Sequence, residues 1–256
     1  MAETIPLARR EVIAGRLAEG RPVVAADIAA EFGVSGDAVR RDLRALAADG
    51  LCRRVYGGAL PLSPAGAPLA TRMGEGLPEK RALARAAALT IRPGELVFLD
   101  SGSTNLALVE ALAPDLGLTV ATNSVPIAAA LLAREDVAMI VVGGAVDRVV
   151  GGAVDAAAVA SVRDMNIDRC FLGACAVAAD GISAFALGDA LFKRALLSAS
   201  RESLVLSTTA KLGTRAPHRV AGLDRIGAVV VGHDASPGDL APLAARSSVI
   251  VAAPPA

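Results

Sequence analysis

The sequence predicts an α/β protein in two parts: an N-terminal winged helix-turn-helix and a larger unit built on a mostly parallel sheet. Three observations carry this. Residues 24–58 hold two short amphipathic helical patterns that meet at a tight turn and run into a short strand closed by Gly57-Gly58. Residues 59–78 are broken by Pro61, Pro64, Pro68 and Pro78 and by Gly66, Gly74 and Gly76. From residue 79 helical patterns alternate with Val/Leu/Ile-rich runs, as in a parallel sheet buried on both faces. The expected domains are 1–58, a Pro/Gly-rich linker over 59–78, and 79–256.

In the head, residues 6–19 read as a first helix with Ile13 and Leu17 inward, broken by Gly20-Arg21-Pro22. Ile28 and Phe32 form the apolar stripe of the second helix. Val39, Leu43 and Leu46, at i, i+4 and i+7, form that of the third. Gly33 suits the left-handed backbone that ends a helix. Ser35 is placed to cap the next one by accepting from the N–H of Ala38. Leu51 to Tyr56 reads as a strand and Gly57-Gly58 as a turn. In the larger part, strands are expected at 96–99, 118–121, 137–142, 170–173, 204–206, 228–231 and 248–251. Helices are expected between them at 79–90, 104–112, 125–133, 154–163, 189–200 and 237–245.

Composition narrows the function. The 256 residues are 54% hydrophobic but only 2% aromatic, which favours a packed core over a stacking surface for single-stranded nucleic acid. No apolar run reaches the ~20 residues of a membrane span, and the N-terminus lacks the apolar stretch of a signal peptide. Cys52, Cys170 and Cys175 have no zinc-ligand spacing and read as reduced thiols of a cytosolic protein. No metal or cofactor is expected. The net charge is zero, and residues 1–58 hold nine Arg against eight Asp/Glu. Bulk charge therefore does not point to nucleic acid. Local clustering does: residues 40–54 carry five Arg against Asp42 and Asp49.

In a helix-turn-helix the second helix enters the major groove of double-stranded DNA. The expected DNA-contacting residues are Ser35, Asp37, Arg40, Arg41 and Arg44 on that helix, with Arg53 and Arg54 on the wing beside the phosphates. Asp37 is placed either to accept from a cytosine amino group or to favour the helix N-terminus. Asp42 reads as the partner of a neighbouring arginine.

In the larger part, ligands of open α/β sheets bind beyond the carboxyl ends of the strands. Asp100, Ser101, Gly102, Ser103, Thr104 and Asn105 follow one strand and open a helix, a setting that suits a phosphate. Thr122, Asn123 and Ser124 follow the next strand, and Gly143 and Gly144 the third. Lys211, in a polar loop, adds a point charge. Neither GxGxxG nor GxxxxGK[ST] is present, which argues against a dinucleotide or nucleoside triphosphate.

Phe32-Gly33-Val34-Ser35, Val39-Arg40-Arg41-Asp42-Leu43, Gly50, Arg54 and Gly57-Gly58-Ala59 together resemble the N-terminal domain of the DeoR family of bacterial repressors. Nearly all of 79–232 resembles that family's sensor domain, which is similar in fold to ribose-5-phosphate isomerase. The matching segments include Leu99 to Thr104, Thr122-Asn123-Ser124, Gly143-Gly144, Phe171-Leu172-Gly173, Lys193-Arg194 and Lys211. The resemblance implies a repressor of a carbohydrate operon, a DNA operator as partner, and a phosphorylated sugar as effector. It implies a homo-oligomer, dimer or higher, and adds Asp189 and Lys193 to the effector site. Three departures stand out. Ala38-Val39 replaces the family's Thr-Ile, and Asp189 stands where it tends to carry Glu. Thr208-Thr209-Ala210-Lys211 replaces its Asp-x-Ser-Lys. Two alternatives follow: a regulator whose sensor no longer responds, or a sugar-phosphate isomerase using Asp100, Asp168 or Asp189 as base. His218 and His233 are expected in loops.

Overall fold

The computed structural model describes residues 6–18, 21–49, 51–61 and 66–255. The chain divides into two compact units, Met1–Ser63 and Pro64–Ala256.

The first unit has helices α1 (Pro6–Ala18), α2 (Ala25–Phe32) and α3 (Gly36–Ala48). Strands β1 (Val23–Val24), β2 (Cys52–Val55) and β3 (Gly58–Pro61) form an antiparallel sheet in the order β1-β3-β2. Gly33 ends α2 at φ +61°, and the Ser35 hydroxyl accepts from Ala38 N at 3.3 Å to cap α3. Ile13, Leu17, Ile28, Val39, Leu43 and Leu46 are all at most 4% exposed and form one apolar core with Val23 and Cys52. A three-helix core carrying a β-ribbon is a winged helix-turn-helix, as the pattern predicts.

The linker expected over 59–78 is narrower than the sequence suggests. Residues 58–61 pair in the sheet of the first unit, and 69–73 form a short helix, α4 (Leu69–Met73). Helix α5 (Leu77–Ala88) begins before Pro78, because proline is tolerated in a helix's first turn. Residues 62–65 lie outside the described residues.

The second unit is organised by a seven-stranded sheet. Its strands are β4 (Leu96–Leu99), β5 (Thr119–Thr122), β6 (Ala138–Val141), β9 (Ile167–Leu172), β12 (Ser200–Ser207), β14 (Ala228–Val231) and β15 (Ser248–Val251). Their order is β15-β14-β12-β9-β4-β5-β6, and every pairing is parallel. Alternate residues feed opposite faces. Val97, Leu99, Phe171, Leu204 and Leu206 pack on one side, and Phe98, Cys170, Leu172 and Val205 on the other. Helices α5, α6 (Ser103–Ala111) and α7 (Val125–Leu131) cover the first face. Helices α8 (Ala156–Arg163), α9 (Leu187–Ala199) and α10 (Pro237–Ala244) cover the second.

Two small additions were not expected. A ribbon joins β7 (Val146–Asp147) and β8 (Gly152–Ala153). An antiparallel sheet joins β10 (Ala176–Ala178), β11 (Gly181–Ala184) and β13 (His218–Ala221), which places His218 in a strand and not in a loop.

The topology fixes where a ligand site forms. From β4 the chain builds outward to β5 and β6, then returns to the other side of β4 and builds outward again through β9, β12, β14 and β15. The reversal opens a crevice beyond the carboxyl ends of β4 and β9.

Candidate functional site

In the first unit, α3 presents Asp37, Arg40, Arg41 and Arg44 to solvent, away from its apolar stripe. Arg40 ion-pairs with Asp37 at 2.7 Å, and a hydrogen bond from that guanidinium holds the Asp37 carboxyl below its ordinary range. Arg44 Nε donates to the Arg40 carbonyl at 3.3 Å. Arg41, and Arg54 on β2, are exposed with no carboxylate at ion-pair distance among the described residues. Arg53 lies on β2, but its side chain falls outside the described residues. Ser35 spends its hydroxyl on the cap.

Asp42 belongs to the interior. It is 2% exposed and is clasped by Arg9 at 2.6 Å and Arg10 at 2.9 Å, both from α1. This clasp ties α3 to α1. At the wing tip, between β2 and β3, Tyr56 is wholly exposed.

In the second unit, the crevice at the β4–β9 reversal holds a narrow cleft. The loop after β4 contributes Ser101 and Gly102, the first turn of α6 Ser103 and Thr104, and the loop after β9 Gly173, Ala174 and Cys175. Helix α9 adds Asp189 and Lys193, and the loop after β12 adds Lys211. A second cavity lies beside it, shares Arg72, Ser103 and Lys211, and is lined also by Glu79, Lys80, Thr208 and Ala210.

Asp100, Asp189 and Lys193 form a buried triad. Lys193 lies 3.1 Å from Asp100 and makes a close ion pair with Asp189. Burial alone would pull Lys193 down, but the two carboxylates outweigh it and hold the amine above the usual lysine range. Burial pushes the Asp100 carboxyl up against the opposing pull of Lys193, while its Oδ2 accepts from Gly173 N at 2.9 Å and ties the loops after β4 and β9 together. Asp100 Oδ1 and Thr104 Oγ1 are buried with no hydrogen-bond partner.

Lys211 differs from Lys193. It is 8% exposed and donates to the Ala174 carbonyl at 3.0 Å. No carboxylate stands at ion-pair distance among the described residues. Burial, aided by the nearby Arg72, Lys80 and Lys193 charges, pulls the amine down to about 8, with only Cys175 pulling the other way.

Several expected effector residues support the cleft without lining it. Thr122 Oγ1 donates to the Leu99 carbonyl at 2.6 Å. Asn123 accepts from Ser101 N at 3.1 Å and donates to the Ala153 carbonyl at 3.0 Å. Both brace the Ser101 loop, and Ser124 N donates back to Thr122 Oγ1. Gly143 and Gly144 are exposed and outside the cleft, next to the Asp155 cap of α8. They follow β6, an edge strand two places beyond β4. Conversely, Arg72, Glu79, Lys80, Cys175 and Phe185 line the cavities without being singled out by sequence as site residues. Asn105, inside the polar run that opens α6, lines the cleft as that run leads one to expect. No cluster of potential metal ligands occurs among the described residues, and none of their helices is long and apolar enough to cross a membrane.

Residues 9–64 match the family described as DeoR-like helix-turn-helix domain, and residues 76–233 match DeoR C terminal sensor domain. An uncharacterized HTH-type transcriptional regulator, YgbI of Escherichia coli, is 34% identical over 82% of this chain and 83% of its own. The glycerol-3-phosphate regulon repressor of Escherichia coli is 30% identical over 79% of this chain and 81% of its own. Among solved structures, ribose 5 phosphate isomerase A from Neisseria gonorrhoeae aligns over 52% of each chain, at 19% identity and a TM-score of 0.37.

Proposed function

The chain belongs to the DeoR family of DNA-binding transcriptional regulators, and on that premise we propose that it represses a carbohydrate-metabolism operon under the control of a phosphorylated sugar or related metabolite held in the cleft. The observation that carries the effector reading is Lys211: a buried cation with no carboxylate partner, facing a cleft lined by hydroxyls and backbone amides. A buried charge without a counter-charge is costly, and an anionic ligand supplies the counter-charge. Ser101 to Thr104, at the start of α6, add a helix N-terminus that favours the same ligand.

The output is a cytoplasmic protein bound to a double-stranded operator. It acts as a dimer or higher oligomer, because paired helix-turn-helix heads read paired half-sites. Arg40, Arg41, Arg44 and Arg54 supply the contacts, and the near-neutral head makes each of them matter. The relatives support regulation over isomerase chemistry.

The test has two arms. The protein should bind its own promoter DNA with a steep salt dependence. A sugar phosphate at 100 times its Kd should raise stability by about 2.7 kcal/mol in a melting assay. Promoter binding without any response to a broad sugar-phosphate panel would instead favour a constitutive regulator, the reading that Thr208 and Ala210 support by removing an acid and a serine from the second cavity.

A further inference from the structure

The segment from residue 66 to 76 reads as linker in the sequence, yet it forms a wall of both cavities. It is docked at several points within the second unit. Gly66 lies against the Phe185 ring. Leu69 N donates to the Val149 carbonyl at 2.9 Å, and its side chain, 2% exposed, sits over Gly151. Gly151 takes φ +78°, and a Cβ there would stand 2.2 Å from Leu69 Cδ2, so the strap and the β7–β8 ribbon touch as closely as glycine allows. Lys80, 6% exposed, donates to the carbonyls of both Arg72 and Glu75 and closes the far end.

Arg72 is the strap's contribution to the cleft. Its Nε donates to the Ala67 carbonyl at 2.8 Å and Nη2 to the Val149 carbonyl at 3.4 Å. No carboxylate is paired with it among the described residues. It lines both cavities together with Lys211 and Ser103. Two cations with only carbonyl partners thus face one space, one from the strap and one from the loop after β12. In sequence, only residues 62–65 separate the strap from β3 of the wing.

We propose that Arg72 is the residue through which occupancy of the cleft reaches the DNA-reading head: an anionic ligand pairs with Arg72 and Lys211 together, locks the strap 66–76, and so fixes the chain that leads to the wing. This rests on the effector reading above and adds to it the site of signal output. Arg72 binds the anion bidentately, which its planar fork allows and a lysine would not. By linkage, whatever loosens or tightens the strap from the head side changes ligand affinity by the same factor.

The experiment is hydrogen exchange read by mass spectrometry on the full chain, with inorganic phosphate as the probe against chloride at matched ionic strength. In the wild type, phosphate should slow exchange at Leu69, Thr71 and Arg72 by about tenfold or more. Arg72→Gln should weaken phosphate binding about tenfold or more and leave strap exchange the same at saturating phosphate. Arg72→Lys, which keeps the charge and loses the fork, should fall between them and guards against a merely unfolded variant. Bound phosphate that leaves the wild-type strap unprotected overturns the inference, as does full protection in Arg72→Gln. If sugar phosphates stabilise the protein and phosphate does not, the anion pairing fails while the effector reading stands. If neither does, both fail.

Discussion

Replacing Lys211 with methionine should make the unliganded protein more stable while abolishing its response to phosphate. The magnitude follows from burial. The amine is held at about 8 against an ordinary lysine value of 10.5. At pH 7 both folded and unfolded chains carry the proton, and the folded chain bears a penalty of about 3 kcal/mol. The penalty is fully present below the folded value and fades as pH rises from about 8 towards 10.5, since the unfolded chain binds more protons in that window. Methionine removes the charge at similar volume but leaves the Ala174 carbonyl without its donor, costing about 1–2 kcal/mol. Lys211→Met should therefore gain about 1–2 kcal/mol at pH 7 and lose that advantage, or reverse it, near pH 10. Urea titrations followed by circular dichroism at pH 7, 8.5 and 10 read this, and the difference between the two proteins cancels the other titrating groups. A variant less stable than wild type at pH 7, with no trend across the range, would refute the picture of a cation waiting for its counter-ion. So would a variant still stabilised by phosphate.

Three further outcomes are expected. Asp42→Ala strands the buried Arg9 and should destabilise the first unit by about 3–5 kcal/mol, seen as an earlier urea transition for the head; a loss under about 1 kcal/mol would mean that the clasp is ornamental. Gly33→Ala meets nothing within 4 Å, so its cost is backbone strain alone at φ +61°, about 1–2 kcal/mol in the same titration. Arg41→Ala and Arg54→Ala should each lower the slope of log affinity for promoter DNA against log salt by about 1, and unchanged slopes would remove those residues from the phosphate contacts.

What could be read from the sequence was whatever is decided locally. Gly33, Ser35 and the i, i+4, i+7 stripe of α3 define a helix-turn-helix within 24 residues or so of chain, and each behaves as its chemistry dictates. The parallel strands announced themselves as continuous apolar runs because both faces are buried. Features decided by distant partners stayed hidden. Strand β11 pairs with β13 more than thirty residues on, and the short β10 and β11 carry no alternation to betray them. Helix α4 is five residues long and owes its order to Lys80, Val149 and Gly151, so its Pro/Gly surroundings outvoted it. The site was half legible for the same reason. Polar residues after strands are visible in sequence, but strand order decides which loops meet. Ser101 to Thr104 sit at the reversal beside β9, whereas Gly143 and Gly144 follow an edge strand and face elsewhere.

Tyr56 has a practical consequence. The chain contains no tryptophan and one tyrosine, and that tyrosine is the wholly exposed residue at the tip of the wing. Tyrosine emission from this protein therefore comes from a single place, the tip of the wing that we propose lies beside the operator. The α/β unit from residue 66 onward holds no tyrosine, so its unfolding is dark to such a measurement, while a nucleic acid seated on the wing as proposed should quench the whole signal. The wild-type sequence thus carries its own optical probe of the head, with no label attached.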